Sequence, residues 1–583
     1  MKKIDNVILG ISVCLALIAA FYYSFYGYHP VVVLFWLGSL LLAAIGFACP
    51  RDTAARPFLT RYDIYLPIAL VAIFAPLYLL FINHYPDTVT PDEVMNMAIE
   101  KNLIAQSPQD IVGLTFGNQF PTLPFKIFVW MEHIMGGISP SHMRIVHGFL
   151  AIAVILTSYF FFRMGLALTP LAASGATALL ASNHAHIGYS RFALWDNTAL
   201  LTETLALALL LWGLKQRSLF YVFLGGAAAG FSFYAYTPGR ITIVLWFLFV
   251  GFMALFSKSA YSSKTLLKIG IVSMVGFLMA ALPTLIAIIK SYPHSIAHQQ
   301  SRILLFPEGR AEQQRVMQAG TIWENLIPGF TAFNSKIHDR SGMYLNEGHG
   351  FLDPLSGILL WIGIVGILWN KQKRTEDIFT ALSFLFLWIL LSTLITPNPA
   401  YAHLQIVLPL VAYLVIKALL FAPIVIENLL HRPIKPWIKH AFLGSCVALI
   451  VGWNLFIFGD FISQQKQQGL AKGDILREAM NIIESRSPSP NHTFYLVASA
   501  QYPYCIWGIP QHWRDWLQSS ASETQRVEYI PSESIATFAP ERPSTIFIPQ
   551  ALRNQLNKTL DGQNIKIVRD SNLSGAFVSL DIR

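Results

Sequence analysis

Long runs of apolar residues are the dominant pattern along this chain of 583 residues. An α-helix of about 20 apolar residues is long enough to cross the hydrocarbon core of a bilayer. Runs of that kind lie near residues 7–26, 30–49, 64–83, 143–162, 171–188, 197–214, 219–236, 241–257, 269–289, 354–370, 377–395, 404–427 and 441–459. The pattern therefore predicts a mainly α, polytopic membrane protein with about 13 transmembrane helices.

Basic residues recur in every second loop between these runs. With Lys2 and Lys3 placed in the cytoplasm, the same side holds Arg51, Arg56, Arg61, Arg163, Lys215, Arg217, Lys258, Lys264, Lys268, Lys371, Lys373, Arg374, Arg432, Lys435 and Lys439. The short loops on the other side hold almost no basic residues, only Arg191 and Arg240. Because Lys and Arg are enriched in cytoplasmic loops, this bias predicts the orientation of the chain and defines its outer face.

Three long polar regions fall on that outer face. Residues 84–142 and 290–353 form large loops, and residues 461–583 form a tail of ordinary soluble composition. Alternating apolar patterns in the tail predict strands near residues 494–498, 527–530, 545–548, 565–568 and 576–580. Helical patterns lie near residues 464–486, 511–517 and 550–560. The tail is therefore predicted to be a small extracytoplasmic α/β domain.

Composition narrows the class of protein further. Charged residues make up only 13% of the chain, whereas soluble domains carry about 25%. The net charge of +9 follows from the loop bias, and no helix-turn-helix, zinc-finger or RNA-binding motif indicates a nucleic-acid partner. Cys14, Cys49 and Cys446 lie in apolar runs and Cys505 stands alone in the tail. This arrangement indicates neither a disulfide framework nor a metal site of paired cysteines.

The first outer loop contains two adjacent carboxylates, Asp92 and Glu93, directly after Thr90 and Pro91. A structural interpretation makes Thr90 the N-cap, Pro91 the first helical residue and Glu93 the end of a capping box. A catalytic interpretation rests on the cost of placing carboxylates beside a membrane. Local sequence alone favours capping. Capping explains Glu93, however, and leaves Asp92 as the candidate general base.

Three cations accompany these carboxylates. Lys126 suits either an interfacial lysine that extends toward water or a contact to a lipid phosphate. Arg191 lies five residues before Asp196, so the two either close a turn as a pair or bind an anion and an acceptor. Like Arg191, Arg240 is a basic residue in a short loop on the outer face, where the charge bias predicts almost none. Its position again favours a bound anion.

Aromatic residues and histidines add further candidates. Tyr234 and Tyr236 precede Arg240 and suit either an interfacial aromatic belt or a pocket. The second outer loop contains four histidines without the paired spacing of metal ligands, so no metal site is predicted from them: His294, His298, His338 and His349.

These motifs occur in the order found in the type-C membrane glycosyltransferases. The matching pieces are Asp92-Glu93, residues 121–126, Ser190-Arg191 with Asp196, residues 234–240, residues 348–355 and the Pro-rich turn 396–403. Over residues 64–460 the chain resembles the branch of protein O-mannosyltransferases and lipid A aminoarabinose transferases. It departs in three places. Residues 1–63 add two helices before the usual first one, residues 121–124 match the Pro-Pro-Leu pattern imperfectly, and His403 stands near a position where the family often has arginine.

The resemblance implies an inverting glycosyltransferase that moves a hexose or pentose from a polyprenyl-phosphate donor to a protein, lipid or glycan acceptor. The reaction would take place on the extracytoplasmic side of a membrane, most simply a bacterial inner membrane. A cationic cradle would stabilise the charge growing on the phosphate. A carboxylate would accept the acceptor's proton.

The implied roles fall into three groups. The catalytic candidates are Asp92, Glu93 and Asp196, and the candidates for binding the donor phosphate are Lys126, Arg191 and Arg240. The further pocket candidates are Tyr234, Tyr236, His349 and His403. No cofactor is certain, and a divalent metal ion stays open because some type-C relatives need one and others do not.

A transporter or flippase of a lipid-linked sugar is the alternative function. Transporters typically show internal repeats and broken or ionisable helices near the middle of the membrane. This chain instead concentrates its polar residues on one face, which favours the enzyme.

Overall fold

The computed structural model describes residues 2–48, 60–82, 90–105, 110–115, 119–256, 261–317, 323–334, 345–346, 348–369, 374–395, 401–467, 482–483, 492–498, 526–541, 543–563, 565, 567–572 and 577–582. Residues 84–89 before the carboxylate pair, Cys49, Cys505, His338 and the predicted helix at 511–517 lie outside the described residues.

Helices account for most of the described chain. They are α1 (Lys2–Tyr26), α2 (Pro30–Ala48), α3 (Tyr62–Leu79), α4 (Pro91–Ala105), α5 (Thr122–Ile134), α6 (Pro140–Phe160), α7 (Pro170–Ser182), α8 (His184–Arg191), α9 (Asp196–Gln216), α10 (Leu219–Phe231), α11 (Thr242–Phe256), α12 (Ser263–Lys290), α13 (His294–Arg302), α14 (Pro307–Met317), α15 (Leu326–Thr331), α16 (Pro354–Trp369), α17 (Thr375–Thr393), α18 (Tyr401–Leu404), α19 (Leu408–Leu430), α20 (Pro436–Gln467) and α21 (Arg553–Gly562). A 3₁₀ turn at Thr237–Ile241 precedes α11.

Ten helical segments of the described chain are long and apolar enough to cross a membrane. They confirm the prediction of a polytopic, mainly α membrane protein. The other three predicted spans coincide with shorter apolar helices, α7, α10 and α16. The predicted span 171–188 is shorter because Asn183 interrupts it: its side chain accepts a hydrogen bond from the His186 N–H and starts α8 as a separate helix. Length and composition thus identify ten spans in these residues, rather than the predicted 13.

Small residues allow the central helices to pack closely. A Cβ at Gly226 of α10 would overlap the Ser273 carbonyl of α12, and one at Gly276 of α12 would overlap the Phe223 carbonyl of α10. Glycines at such crossings let two backbones approach in a membrane. The α10–α12 pair therefore forms a tightly packed interior next to α9.

Buried ion pairs join the helices at the end remote from the carboxylate pair. Asp63 of α3 accepts from Arg163 at 2.6 Å, and Glu376 of α17 lies 2.7 Å from Lys215 of α9. Arg163 and Lys215 are two of the cations that the sequence assigns to the cytoplasmic loops.

The first two helices pack against the rest of the bundle as a hairpin. Trp36 of α2 donates its indole N–H to the Met279 carbonyl of α12 at 2.9 Å. Tyr23 of α1 donates to Asp110 of the first loop at 2.5 Å, and Lys290 donates to the Tyr23 carbonyl at 2.9 Å. Helices α1 and α2, which the family resemblance does not include, thus contact both the bundle and the first loop.

The C-terminal region contains a five-stranded mixed sheet of β3 (Thr493–Ala498), β4 (Arg526–Pro531), β5 (Ser544–Pro549), β6 (Ile567–Asn572) and β7 (Phe577–Ile582), in the order β4-β3-β5-β7-β6. Strand β3 is parallel to β4 and β5, while β7 is antiparallel to β5 and β6. Ile546, Ile548 and Leu580 pack with Leu556 and Leu560 of α21. The predicted α/β region is confirmed, and β6 begins two residues after the predicted 565. A small antiparallel pair, β1 (Leu114–Thr115) and β2 (Phe120–Pro121), precedes α5.

Candidate active site

Helix α4 begins with the capping box that the sequence predicts. The Thr90 N–H donates to Glu93 Oε2 at 2.8 Å, and the Glu93 N–H donates to Thr90 Oγ1 at 3.3 Å. Asp92, which lies between them in sequence, is exposed, whereas Glu93 is only 1% exposed. The cap therefore fixes Asp92 at the first turn of the helix and directs it away from the buried side.

Glu93 also forms a buried ion pair that the sequence analysis missed. Arg144 of α6 donates to Glu93 through Nε at 2.7 Å and through Nη2 at 3.0 Å. The Ala193 N–H donates to Glu93 Oε1 at 3.0 Å, and Asn96 donates to the Ala193 carbonyl at 2.7 Å. One carboxylate thus connects α4, α6 and the loop that leads to Asp196. The one local signal for Arg144 is a charge at the start of an apolar run.

The first turns of α4 and α9 bring Asp92 and Asp196 together. The two carboxylates are close enough to interact electrostatically. Asp196 is 6% exposed, and its Oδ1 has no hydrogen-bond donor among the described residues. A buried carboxylate oxygen normally has a partner, so this atom is available to a substrate hydroxyl or amine.

Tyr236 and His403 complete the cluster. The Tyr236 phenol interacts with both Asp92 and Asp196, and its ring lies 5.6 Å from that of His403. Trp195 packs 5.4 Å from the same tyrosine ring. Tyr189 and Arg302 also interact electrostatically with the Tyr236 phenol. Tyr236 and His403 are among the pocket residues predicted from the sequence. The other members of the cluster, which were not predicted, are Trp195, Tyr189 and Arg302. Their proximity depends on chain segments that are far apart in sequence.

Arg240 lies in the 3₁₀ turn that follows Tyr236. Its guanidinium carbon is 5.6 Å from the centre of the Phe233 ring, and its buried Nε has no acceptor among the described residues. The turn packs closely on α9, since a Cβ at Gly239 would lie 3.1 Å from the Ala199 Cα. A buried cation without a hydrogen-bond acceptor at Nε suits an anionic ligand.

Lys126 and Arg191 have protein partners. Lys126 of α5 donates to the Leu103 carbonyl of α4 at 3.3 Å, so it joins the two helices of the first loop. Arg191 donates through both terminal nitrogens to carbonyls near the end of α3, to Leu77 and, at 2.9 Å, to Leu80. Arg191 is 3% exposed. These contacts give it a role in holding the helix end that the sequence analysis did not anticipate.

Two pocket candidates lie in other clusters. Tyr234 packs against Trp36 of α2 at 5.6 Å and belongs to the apolar cluster of the N-terminal hairpin. His349 lies 3.9 Å from Asp460 near the end of α20. Only Ala235 lies between Tyr234 and Tyr236, so two aromatic residues close together in sequence lie in different surroundings.

A divalent metal ion would need several oxygen or nitrogen ligands at one place. Among the described residues, no group of three or more His, Cys, Asp and Glu side chains is positioned to hold one. The described residues therefore do not fit a metal held by protein ligands alone.

Comparison with known proteins identifies the fold. No family model and no curated protein matches the sequence. ArnT from Cupriavidus metallidurans bound to undecaprenyl phosphate has a similar structure, with a TM-score of 0.55, 14% identity, and coverage of 88% of this chain and 97% of ArnT. The apo state of ArnT gives a TM-score of 0.54 and 14% identity over 89% of this chain and 97% of ArnT. The oligosaccharyltransferase of Archaeoglobus fulgidus gives a TM-score of 0.49 and 13% identity over 79% of this chain and 62% of that protein. The chain thus has the polytopic fold of the type-C glycosyltransferases.

Proposed function

We propose that this protein is an inverting glycosyltransferase that moves a sugar from a polyprenyl-phosphate donor to an acceptor on the extracytoplasmic side of its membrane. The observation that carries the proposal is the cluster of Asp92, Asp196 and Tyr236 at one end of the bundle, with Arg240 four residues beyond Tyr236. The similar fold of an ArnT bound to undecaprenyl phosphate supports the donor class.

The proposed reaction is a single displacement. The acceptor hydroxyl or amine attacks the anomeric carbon from the face opposite the phosphate. The bond between that carbon and the phosphate oxygen breaks, and its electron pair leaves with the polyprenyl phosphate. Asp92 accepts the proton that the acceptor loses. One step of this kind inverts the anomeric centre and needs no covalent sugar–enzyme intermediate.

The other residues assist without taking the proton. Asp196 accepts a hydrogen bond at its unpaired Oδ1 and orients the acceptor. Arg240 binds the donor phosphate and stabilises the negative charge that develops there. Lys126 and Arg191 are also proposed to contact the donor phosphate, because both are cations of the first-loop side of the bundle that also bind backbone carbonyls near it.

Transfer is tested with purified protein in lipid vesicles that contain undecaprenyl phosphate carrying different hexoses or pentoses. Release of undecaprenyl phosphate and mass spectrometry of surface glycans, with and without the protein, report the reaction. We expect one donor to be consumed and one glycan to be absent without the protein. Movement of an intact lipid-linked sugar between leaflets, with no release of undecaprenyl phosphate, would instead establish a transporter.

The donor contact is tested with Arg240→Ala. We expect weaker binding of undecaprenyl phosphate and a higher KM for the donor, with a smaller change in KM for the acceptor. Arg217→Ala is the matched control, because Arg217 ends α9 at the opposite end from Asp196. Equal donor binding by both variants would place the phosphate elsewhere.

A further inference from the structure

The second outer loop is attached to the end of α17 by three hydrogen bonds. The Leu304 N–H donates to the Leu394 carbonyl at 2.9 Å, and Asn325 donates to the Thr393 carbonyl at 3.2 Å. The Trp388 indole N–H donates to the Gly329 carbonyl at 3.0 Å. Two separate parts of the loop, around residues 304 and 325–329, therefore meet at the end of one membrane-spanning helix.

The same two parts expose large apolar side chains. Trp323 and Ile327 are each 77% exposed, and Leu305 is 61% exposed. Leu326 and Phe306 are exposed to a smaller extent. These five residues are called the loop shelf. The two parts are also linked through α14, because Gln313 of that helix donates a buried hydrogen bond to Asn325 at 2.8 Å.

Exposed apolar residues continue from the shelf along α17. Leu385 and Ile389 are exposed on that helix, which is one of the ten apolar spans. An exposed apolar face on a spanning helix is the surface that lipid covers. The shelf lies beside the end of this helix. Tryptophan side chains such as that of Trp323 are enriched at the boundary between hydrocarbon and water.

We propose that the loop shelf lies in the outer leaflet, with Trp323 at the headgroup level and Ile327 and Leu305 among the upper acyl chains. The occupant of this surface is therefore bilayer lipid, and the inference is independent of the reaction catalysed. Continuity with the lipid-facing side of α17 favours lipid over a protein partner. A group of exposed apolar side chains of this kind typically marks an interaction surface.

The shelf also has a consequence for the site. Arg302, at the end of α13, acts on the Tyr236 phenol and directly precedes the bridge between Ile303 and Ile395 beside α17. Attachment of the shelf to the leaflet therefore restrains the backbone next to Arg302, which interacts electrostatically with Tyr236.

The depth of the shelf is measured with nitroxide labels at Ile327→Cys and, separately, at Leu305→Cys, in full-length protein whose four native cysteines are replaced by serine. The protein is reconstituted in phosphatidylcholine–phosphatidylglycerol vesicles. Power-saturation spectroscopy then compares collisions with oxygen, which concentrates in lipid, and with a water-soluble nickel chelate. The lipid control is Ile362→Cys, on the exposed side of α16. The water control is Lys558→Cys, on the exposed side of α21.

We expect the ratio of oxygen to nickel collisions at both shelf positions to resemble that at Ile362. A ratio like that at Lys558 would overturn the proposal by placing the shelf in water. Low collision with both agents would overturn it as well, since it would show that protein covers the shelf. Two label positions keep the test decisive if one variant fails to fold.

Discussion

Asp92 and Glu93 are neighbours in sequence but occupy different environments. Glu93 is buried and accepts hydrogen bonds from Thr90, Arg144 and Ala193. Asp92 is exposed on the same helical turn and interacts with Asp196. The division assigns Glu93 a positioning role and leaves Asp92 facing the site.

Removing the charge of Asp92 should affect turnover and leave stability almost unchanged. Asp92→Asn keeps the shape of the side chain, and loss of a general base typically lowers the rate about 10²–10⁴-fold. The measurement is turnover of one defined donor, with thermal unfolding in detergent as the control. Near wild-type turnover would exclude Asp92 as the general base and move the search for the base to Asp196.

Removing the charge of Glu93 should mainly lower stability. Glu93→Gln keeps the cap but removes the carboxylate charge that pairs with the buried Arg144, and breaking such a pair costs about 3–5 kcal/mol. Arg144→Gln should destabilise the protein similarly, whereas the double variant should lose less than the sum of the two. A double-mutant cycle from unfolding curves measures this coupling. Additive losses would show that the ion pair contributes nothing.

At the scale of elements, the helices of the first loop enclose a pair of carboxylic acids. Glu100 of α4 and Glu132 of α5 are both fully buried, and their carboxyl groups interact with each other. No other described residue donates a hydrogen bond to any of their four carboxyl oxygens. Burial raises the pKa of Glu132 to about 8, and burial together with the charge of Glu132 raises the pKa of Glu100 well above its usual value. The α4–α5 contact therefore favours the protonated form of these two carboxyl groups.

This contact should weaken as the pH rises. Because the folded pKa lies above the unfolded one, the stabilisation is fully present below about pH 4.5 and is lost as the pH rises through about 8. Hydrogen exchange of peptides from α4 and α5 at pH 6 and pH 9, corrected for intrinsic rates, measures the change. We expect Glu132→Gln to remove most of the pH dependence and the exposed control Glu308→Gln to keep it. The same pH dependence in Glu132→Gln would contradict the role of the pair.

At the scale of the whole molecule, Asn346 and Gly350 of the second outer loop connect α20 to the carboxylate side of the bundle. Asn346 donates to Asp460 of α20 at 2.8 Å, and His184 of α8 is hydrogen-bonded to the Gly350 carbonyl at 2.9 Å. Helix α8 also carries Arg191, which reaches the end of α3. These contacts support the proposal that the C-terminal end of α20, and the tail that begins there, lies on the same face as Asp92.

Labelling of Cys505 tests the orientation of the chain in intact cells. With Cys14, Cys49 and Cys446 replaced by serine, a membrane-impermeant maleimide should react with Cys505 from the outer side. A cysteine introduced at Lys264, in the first turn of α12 on the side that the charge bias assigns to the cytoplasm, is the control and should react only after lysis. Protection of Cys505 until lysis would reverse the orientation and remove the proposed site from the outer face.

The sequence by itself determined the features that depend on neighbours along the chain. Apolar length set the transmembrane segments, alternation set the strands of the tail, and Thr90, Pro91 and Glu93 set the start of α4, because each signal extends over a few residues. The ordered motifs also led to the correct fold, which the similarity to ArnT confirms.

Only the tertiary structure decided which charges are used together. Arg144 pairs with Glu93 across 51 positions, and Arg191 donates to a carbonyl 111 positions away, so neither partner leaves a periodic signal. Tyr234 and Tyr236 differ for the same reason, since the turn between α10 and α11 sends one to the N-terminal hairpin and the other to the carboxylates. Burial and pairing depend on which helices meet, and that is a property of the packed bundle rather than of any local segment.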